Sequence, residues 1–432
     1  MKVIIPAGGK GTRLNSILKG LPKPLVDIDG DPLLIHTIQL CKKYGLTDIN
    51  LLLGYKPNQI INTLGDGSDL DVKITYHLEG KQLGTAGAVK NIEDIIDNDF
   101  LLIYGDIYVN MDLGKLINFH NSKNSNGTLV CHPNNHPHDS DLLEVNDEDE
   151  IIDFISKPHD EDKYYRNLVN AGVSILNKSI LMDIKKNTYY DFGKDIYPKF
   201  IGKKLYGYNT PEYIHDIGTP VRYKNVLNDI NKNLPEKMNL KNKRKAFFID
   251  RDGTINKYIP FIDKIEDFEL LEDVDKAIRA INSSEWLAIV VTNQPQVARG
   301  QLEEEDVKYM HKKMEYLLGL KSAKLDAIYF CPHHPDKGFD GENKIYKIVC
   351  NCRKPEPGLY LKAQDTFNID LSQSVYIGDT TRDIAVTKEV GGTSILLRCG
   401  VGGKDKKYDV EPDFMCNNLY SAVKKILELK SK

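Results

Sequence analysis

The chain of 432 residues contains no apolar run close to the ~18 to 20 residues that cross a bilayer. Its amino terminus also lacks the apolar core and small-residue cleavage site of a secretory signal. Both absences lead to the expectation of a cytoplasmic protein with no membrane partner. Basic residues are not in excess either: 58 Lys and Arg against 62 Asp and Glu leave a net charge of −4, which argues against a general nucleic-acid binder. An even set of cysteines is missing. Of the seven present, Cys331, Cys350 and Cys352 fall within 22 residues, a crowding that suits metal ligation better than a disulfide framework. What is there, 41% hydrophobic and 28% charged residues, excludes disorder, collagen and coiled coil. At about 150 residues per domain the length calls for two or three domains, each able to bury a core.

One segment differs from its surroundings. Residues 231–244, reading NKNLPEKMNLKNKR, have no apolar periodicity, contain Pro235 and carry five basic residues against one acidic, and are expected to form a linker. Domains are therefore expected at 1–230 and 245–432. Each begins with a β-type run that ends in a polar, Gly-bearing turn: KVIIP before AGGKGTRL, and KAFFID before RDGT. Further β-type runs at 49–53, 100–104, 287–292 and 374–377 alternate with amphipathic stretches at 33–44 and 303–318. That alternation predicts α/β domains with mainly parallel sheets, whose ligands sit beyond the carboxyl ends of the strands.

In the first half, Ala7-Gly8-Gly9-Lys10-Gly11-Thr12-Arg13-Leu14 stands where the first strand should end, so its backbone N–H groups could approach phosphate with no Cβ in the way. It is neither a Walker A sequence nor a dinucleotide-binding fingerprint. Lys23 follows between Pro22 and Pro24, a cation with little conformational entropy to lose. GGxGTRL followed by PKPL resembles the signature of sugar-1-phosphate nucleotidyltransferases, and the likeness extends through most of residues 1–230. Leu83-Gly84-Thr85-Ala86-Gly87-Ala88 resembles the base-binding segment of mannose-type guanylyltransferases. Tyr104-Gly105-Asp106 and His215-Asp216-Ile217-Gly218-Thr219-Pro220 resemble the segments that carry two metal aspartates. Ser156-Lys157-Pro158 is similar to the family's Glu-Lys-Pro with the acid replaced by serine, and Asn170-Ala171-Gly172 to its sugar-contacting turn.

This resemblance implies a Rossmann-like, GT-A-like mixed sheet and attack of a sugar phosphate on the α-phosphorus of a nucleoside triphosphate. Two polyanions must meet, so charge has to be offset. Arg13 and Lys23 are expected at the triphosphate, with Gly8, Gly9, Gly11 and Thr12 forming its loop. Gly84 and Thr85 are expected at the base, and Lys157, Asn170 and Gly172 at the sugar phosphate. Asp106 and Asp216 are expected to hold Mg²⁺.

In the second half, Phe247-Phe248-Ile249-Asp250-Arg251-Asp252-Gly253-Thr254 sets two carboxylates two residues apart just past a strand. One carboxylate can attack phosphorus while the other reaches the leaving oxygen. The string D-R-D-G-T-I resembles the first motif of the haloacid dehalogenase superfamily. Val291-Thr292-Asn293-Gln294, Arg353-Lys354-Pro355 and Ile377-Gly378-Asp379-Thr380-Thr381-Arg382-Asp383 resemble the motifs that follow, implying a second Rossmann-like domain. Asp250 is then the expected nucleophile and Asp252 the acid and base. Thr292 and Lys354 are expected at the phosphoryl oxygens, and Asp250, Asp252 and Asp379 at Mg²⁺, with Asp383 supporting them.

Cys331-x-His333 and Cys350-x-Cys352 offer three thiolates and an imidazole, a donor set for structural Zn²⁺, with His334 as a competing ligand. A zinc loop before C-R-K-P resembles the D,D-heptose 1,7-bisphosphate phosphatase and histidinol-phosphatase group. Thr292 to Gly300 is similar to the heptose enzymes' T-N-Q-x-x-(I/V)-A-R-G, although Pro295 and Gln296 stand where many members have Ser-Gly. Arg299, with Asn293 and Arg353, is expected to contact substrate.

Together the resemblances imply two consecutive steps with GTP and heptose phosphates as substrates. The heptose 7-phosphate would be removed, and heptose 1-phosphate joined to GMP. Other readings stay open: a mannose- or glucose-type transferase with a histidinol-phosphatase-like partner, a first half that only senses sugar nucleotides, or a second half that is a zinc-stabilised interaction module. Homo-oligomerisation is also open.

Overall fold

In the computed structural model, which describes residues 1–9, 11–338 and 340–430, the chain divides into two compact units. The first comprises 1–132, 143–155 and 170–239; the second comprises 133–142, 156–169 and 240–432. Both are mixed α/β. No helix among the described residues is long and apolar enough to cross a membrane.

The first unit is built on a nine-stranded sheet. Lys2–Pro6 lies between Asp48–Leu53 and Asp99–Ile103, parallel to both, and Lys73–Leu78 extends the parallel set. Val169–Asn177 runs antiparallel to Asp99–Ile103, which makes the sheet mixed. Val3, Ile4 and Ile5 are all fully buried, as a central strand covered on both faces requires. The carboxyl ends of the first two strands come so close that a Cβ on Gly8 would stand 3.1 Å from Gly54 N, so glycine is needed on both sides. The amphipathic stretch at 33–44 forms the helix Leu33–Lys43, burying Leu34, Ile38 and Cys41.

The second unit carries a six-stranded sheet of parallel neighbours, ordered Ala327–Cys331, Leu287–Asn293, Ala246–Ile249, Val375–Gly378, Thr393–Leu397, Phe414–Cys416. Parallel pairing aligns the strand ends, and these place Asp250, Asn293, Cys331 and Asp379 along one edge. Helix Glu304–Gly319 starts with a capping box between Glu303 and Asp306.

Residues 231–244 are more ordered than their composition implies. Leu234–Met238 is a short helix, and Leu240 and Arg244 are buried. The Asn239 carboxamide donates to Asn110 Oδ1 at 2.7 Å, and Arg244 donates to Glu285 O at 3.0 Å. Isolated apolar residues without periodicity still anchor a segment when each finds a pocket, which a period-based reading overlooks.

Candidate functional site

Each unit gathers one lysine and a set of carboxylates at the ends of its strands. In the first, Lys23 begins the turn Lys23–Leu25 between its two prolines and is buried. Its Nζ lies 2.9 Å from Asp106 Oδ2 and 3.1 Å from Asp216 Oδ1. Asp106 follows the strand Asp99–Ile103. Asp216 ends Tyr213–Asp216, which pairs antiparallel with Ile107–Asn110 and sets Asp216 opposite Ile107. Arg222, one turn into the helix Pro220–Asn231, donates to Asp216 Oδ2 at 2.7 Å. Burial alone would raise the Asp216 pKa, but Lys23 and Arg222 outweigh it and hold the carboxyl below its usual range. Two carboxylates, one of them half-exposed, are a hard oxygen set of the kind that holds Mg²⁺ together with substrate phosphates.

The loop before this pair is open. Gly9, Thr12 and Arg13 are exposed, while Gly11 takes a left-handed conformation against Lys23. Lys10 lies outside the described residues. Gly218 packs so near that a Cβ there would be 3.3 Å from Arg13 Nη2, which sets Arg13 beside the Asp216 turn. Gly84 and Thr85 open the helix Gly84–Asn91. The Thr85 hydroxyl is engaged internally, donating to Asp191 Oδ2 at 3.0 Å and accepting from Phe192 N at 2.9 Å. Asn170 Oδ1 accepts from Gly172 N at 3.1 Å, shaping the turn beside Tyr104. Lys157, in the second unit, is exposed; its Nζ donates to Asp139 O and its backbone N–H to Asp141 Oδ1.

Motif reading missed two residues here. Arg222 lies six positions after Asp216, a spacing that folds back over the aspartate once a helix starts at Pro220. Glu79 follows the strand Lys73–Leu78, half-buried, within reach of Gly8 and of the Leu83 N–H, and burial raises its pKa. A carboxylate just past a strand and five residues before Gly84 was its only signal.

In the second unit the carboxylates are deeply buried. Lys354 Nζ lies 2.8 Å from Asp250 Oδ1, 2.6 Å from Asp383 Oδ1 and 2.7 Å from Val291 O, with 2% of its side chain exposed. Asp250, Asp379 and Asp383 bring carboxylate oxygens within 4.8 Å of one another. Burial, then the charge of Asp383, pushes Asp250 up to about 6; burial, then Asp250, pushes Asp379 up to about 8. Asp383 goes the other way, because Lys354 overcomes its burial. Asp379 Oδ2 accepts from Val401 N at 2.6 Å, while Oδ1 is buried with no hydrogen-bond partner. An unmatched buried carboxylate oxygen among three acids and one lysine fits a bound divalent cation.

Asp252 stands apart from this trio. Its carboxylate turns to Arg251, Gln294 and Asn256. Thr292 is buried, its hydroxyl accepting from Gln294 Nε2 at 2.9 Å. Asn293 clasps the backbone of Lys354: Oδ1 accepts from Lys354 N at 3.0 Å and Nδ2 donates to Lys354 O at 3.1 Å. Arg299 lies 4.1 Å over the Phe261 ring, and Arg353 Nη1 donates to His333 O at 3.0 Å.

Cys331, His333, Cys350 and Cys352 form the second group whose ligand atoms all lie within 4.8 Å of one another. Their mutual distances include 3.6 Å for Cys331–Cys350, 3.3 Å for Cys331–Cys352 and 3.2 Å from His333 Nδ1 to Cys352 Sγ. A tetrahedron with zinc–sulfur bonds of about 2.3 Å has edges of about 3.8 Å, so four soft donors at this spacing fit Zn²⁺. His334 is outside the group, its Nδ1 accepting from Asp336 N.

The geometry can be set beside known proteins. The nucleotidyl transferase family model matches residues 2–233, and a HAD-hydrolase-like model matches 351–422. Over 156 residues the chain is 37% identical to the D-glycero-β-D-manno-heptose-1,7-bisphosphate 7-phosphatase of Escherichia coli O6:H1, covering 36% of this chain and 80% of that protein. The enzyme of the same name from Vibrio cholerae is 39% identical over 158 residues, covering 36% and 83%. The solved structure of HddC from Yersinia pseudotuberculosis aligns with 53% of this chain and 99% of its own, at 30% identity and a TM-score of 0.47.

Proposed function

The chain belongs to the nucleotidyl transferase family and, through its C-terminal part, to the family of heptose-bisphosphate phosphatases; from that premise we propose that it catalyses two consecutive steps towards GDP-D-glycero-α-D-manno-heptose. Residues 245–432 would remove the 7-phosphate of D-glycero-D-manno-heptose 1,7-bisphosphate. Residues 1–230 would join GMP from GTP to the resulting heptose 1-phosphate and release pyrophosphate. The observation that carries the reading is the recurrence of one arrangement, a buried lysine set between carboxylates from distant points of the chain: Lys23 between Asp106 and Asp216, and Lys354 between Asp250 and Asp383.

In nucleotidyl transfer the phosphate oxygen of the sugar attacks the α-phosphorus, and the bond to pyrophosphate breaks. The nucleophile is already ionised at neutral pH, so no protein base is needed. Arg13 and Lys23 would offset the triphosphate charge. Asp106 and Asp216 would hold Mg²⁺, which supplies further charge neutralisation. Glu79 supports guanine as the base: its two acceptor oxygens match the adjacent N1–H and N2–H donors of guanine.

In phosphate removal an Asp250 oxygen attacks the phosphorus, and the sugar oxygen departs with a proton from Asp252. Asp252 then takes a proton from the water that cleaves the aspartyl phosphate, restoring both aspartates. Lys354 offsets charge on the nucleophilic side, Thr292 faces the transferring oxygens, and Asn293 supports Lys354. Arg299 and Arg353 would face the far end of the substrate. Asp250, Asp379 and the Asp252 carbonyl would hold Mg²⁺, and the Cys/His cluster Zn²⁺. We place the protein in the cytoplasm. Product analysis with each anomer of heptose 1,7-bisphosphate plus each nucleoside triphosphate in turn tests the reading. Phosphate release followed by GDP-heptose is expected; release of phosphate only from histidinol phosphate would sink it.

A further inference from the structure

Asp252 is held by a buried network that the motif does not announce. Arg251, 0% exposed, donates from Nε and Nη2 to Asp252 Oδ1 at 3.1 and 2.9 Å, and from Nη2 to Oδ2 at 3.0 Å. Nη2 also lies 2.8 Å from Gln294 Oε1, and Nη1 lies 3.3 Å from His311 Nε2. The guanidinium stacks 5.8 Å from the Phe268 ring. A charge buried this completely is costly, by several kcal/mol, unless its hydrogen-bonding capacity is met. Here every nitrogen of the guanidinium has a partner.

We propose that Arg251, braced by His311, is the positioning residue that fixes the Asp252 carboxyl group for proton transfer to a sugar alkoxide. This rests on the phosphatase reading above. A planar fork with two parallel N–H groups locks the carboxyl plane, which an ammonium cannot do. It also sorts the two oxygens. Oδ1 faces three donors, since Asn256 Nδ2 joins Arg251 at 3.1 Å, so it is saturated. Oδ2 takes two donors, Gln294 Nε2 at 2.8 Å and Arg251 Nη2 at 3.0 Å, one fewer than Oδ1, and it lies on the side of Thr292, whose Oγ1 accepts from the same Gln294 nitrogen, so it is the oxygen assigned to proton exchange. When the Asp250–phosphorus bond forms and the phosphorus–oxygen ester bond breaks, the electron pair goes to the sugar oxygen and the Oδ2 proton follows it. Water later returns that proton as the Asp250–phosphorus bond breaks.

His311 completes the frame from the helix Glu304–Gly319, its ring 5.4 Å from that of Phe330. Burial, and then the Arg251 charge, hold its imidazole well below the usual pKa, so it is neutral and its Nε2 can accept from Nη1.

A sugar alkoxide is a poor leaving group that needs the proton, whereas p-nitrophenolate leaves without one. Wild type, Arg251→Lys, His311→Leu and His311→Gln are compared on heptose 1,7-bisphosphate and on p-nitrophenyl phosphate. In Arg251→Lys, kcat on the sugar ester is expected to fall about 100-fold. The first-turnover burst of p-nitrophenolate should stay at the wild-type rate. His311→Leu should show the same split more weakly, and His311→Gln, whose amide oxygen can accept from Nη1, should restore it. Equal loss on both esters, or no rescue by glutamine, overturns the proposal alone. A wild type that hydrolyses neither ester overturns the phosphatase reading and the proposal with it.

Discussion

The two lysine–carboxylate clusters solve the same charge problem at opposite depths. Around Lys23 the acids remain in contact with water, Asp106 with half of its side chain exposed, and cationic partners pull Asp216 below its usual pKa. Around Lys354 the acids are sealed in, and burial raises Asp250 and Asp379. On the proposed reading the difference follows ligand size. A site that receives a nucleoside triphosphate and a sugar phosphate together must stay open and can rely on solvent. A site that receives one phosphoryl group can close around it, leaving an excess of buried negative charge for a cation to offset.

The strongest way to break this contrast is to disable one cluster and assay both reactions. Asp250→Asn is expected to lower phosphate release by about 10⁴-fold or more and to leave pyrophosphate release from GTP unchanged; Asp106→Ala is expected to do the converse. If either substitution abolishes both activities, the clusters are not independent. Next in size is the thiol cluster. Metal analysis should find one zinc per chain, and Cys350→Ser should weaken its retention by more than about 100-fold and lower the thermal midpoint of the second unit. Purified protein free of zinc would contradict this.

A smaller effect sharpens the open side of the comparison. Glu79→Gln should reduce the preference for GTP over ATP by roughly 10- to 100-fold with little change in fold, read from kcat/KM for the two nucleotides. The smallest concerns the sealed side. His311 is depressed in the folded chain, so its neutral form contributes stability that is fully present above the ordinary histidine pKa near 6.5. That contribution is lost as pH falls, by up to about 1.4 kcal/mol per pH unit. Denaturant unfolding of the wild type should show this acid-side slope, and His311→Gln should flatten it.

Local motifs reveal where the chain turns at the end of a strand, and so which residues reach the strand ends. Gly8, Gly9, Asp250, Asp379 and Cys331 were legible in this way, while His333, Cys350 and Cys352 were read from their spacing to Cys331. The direction in which a side chain then points depends on partners far away in sequence. Asn293, expected at substrate, clasps the Lys354 backbone 61 positions on. The Thr85 hydroxyl is committed to Asp191 and Phe192. The Asp252 carboxylate is taken up by Arg251 and Gln294 and does not join the Asp250, Asp379 and Asp383 group. Arg222, Glu79 and His311 lie outside any motif, and only tertiary packing brings them to the charged groups they serve.

The thiol cluster is linked to Lys354 through the backbone. Cys331 lies opposite Asn293 in the sheet, Asn293 grips Lys354, and Cys352 stands two residues before it. A disturbance of that cluster is therefore expected to reach Lys354 along two short paths, through Asn293 and through Cys352.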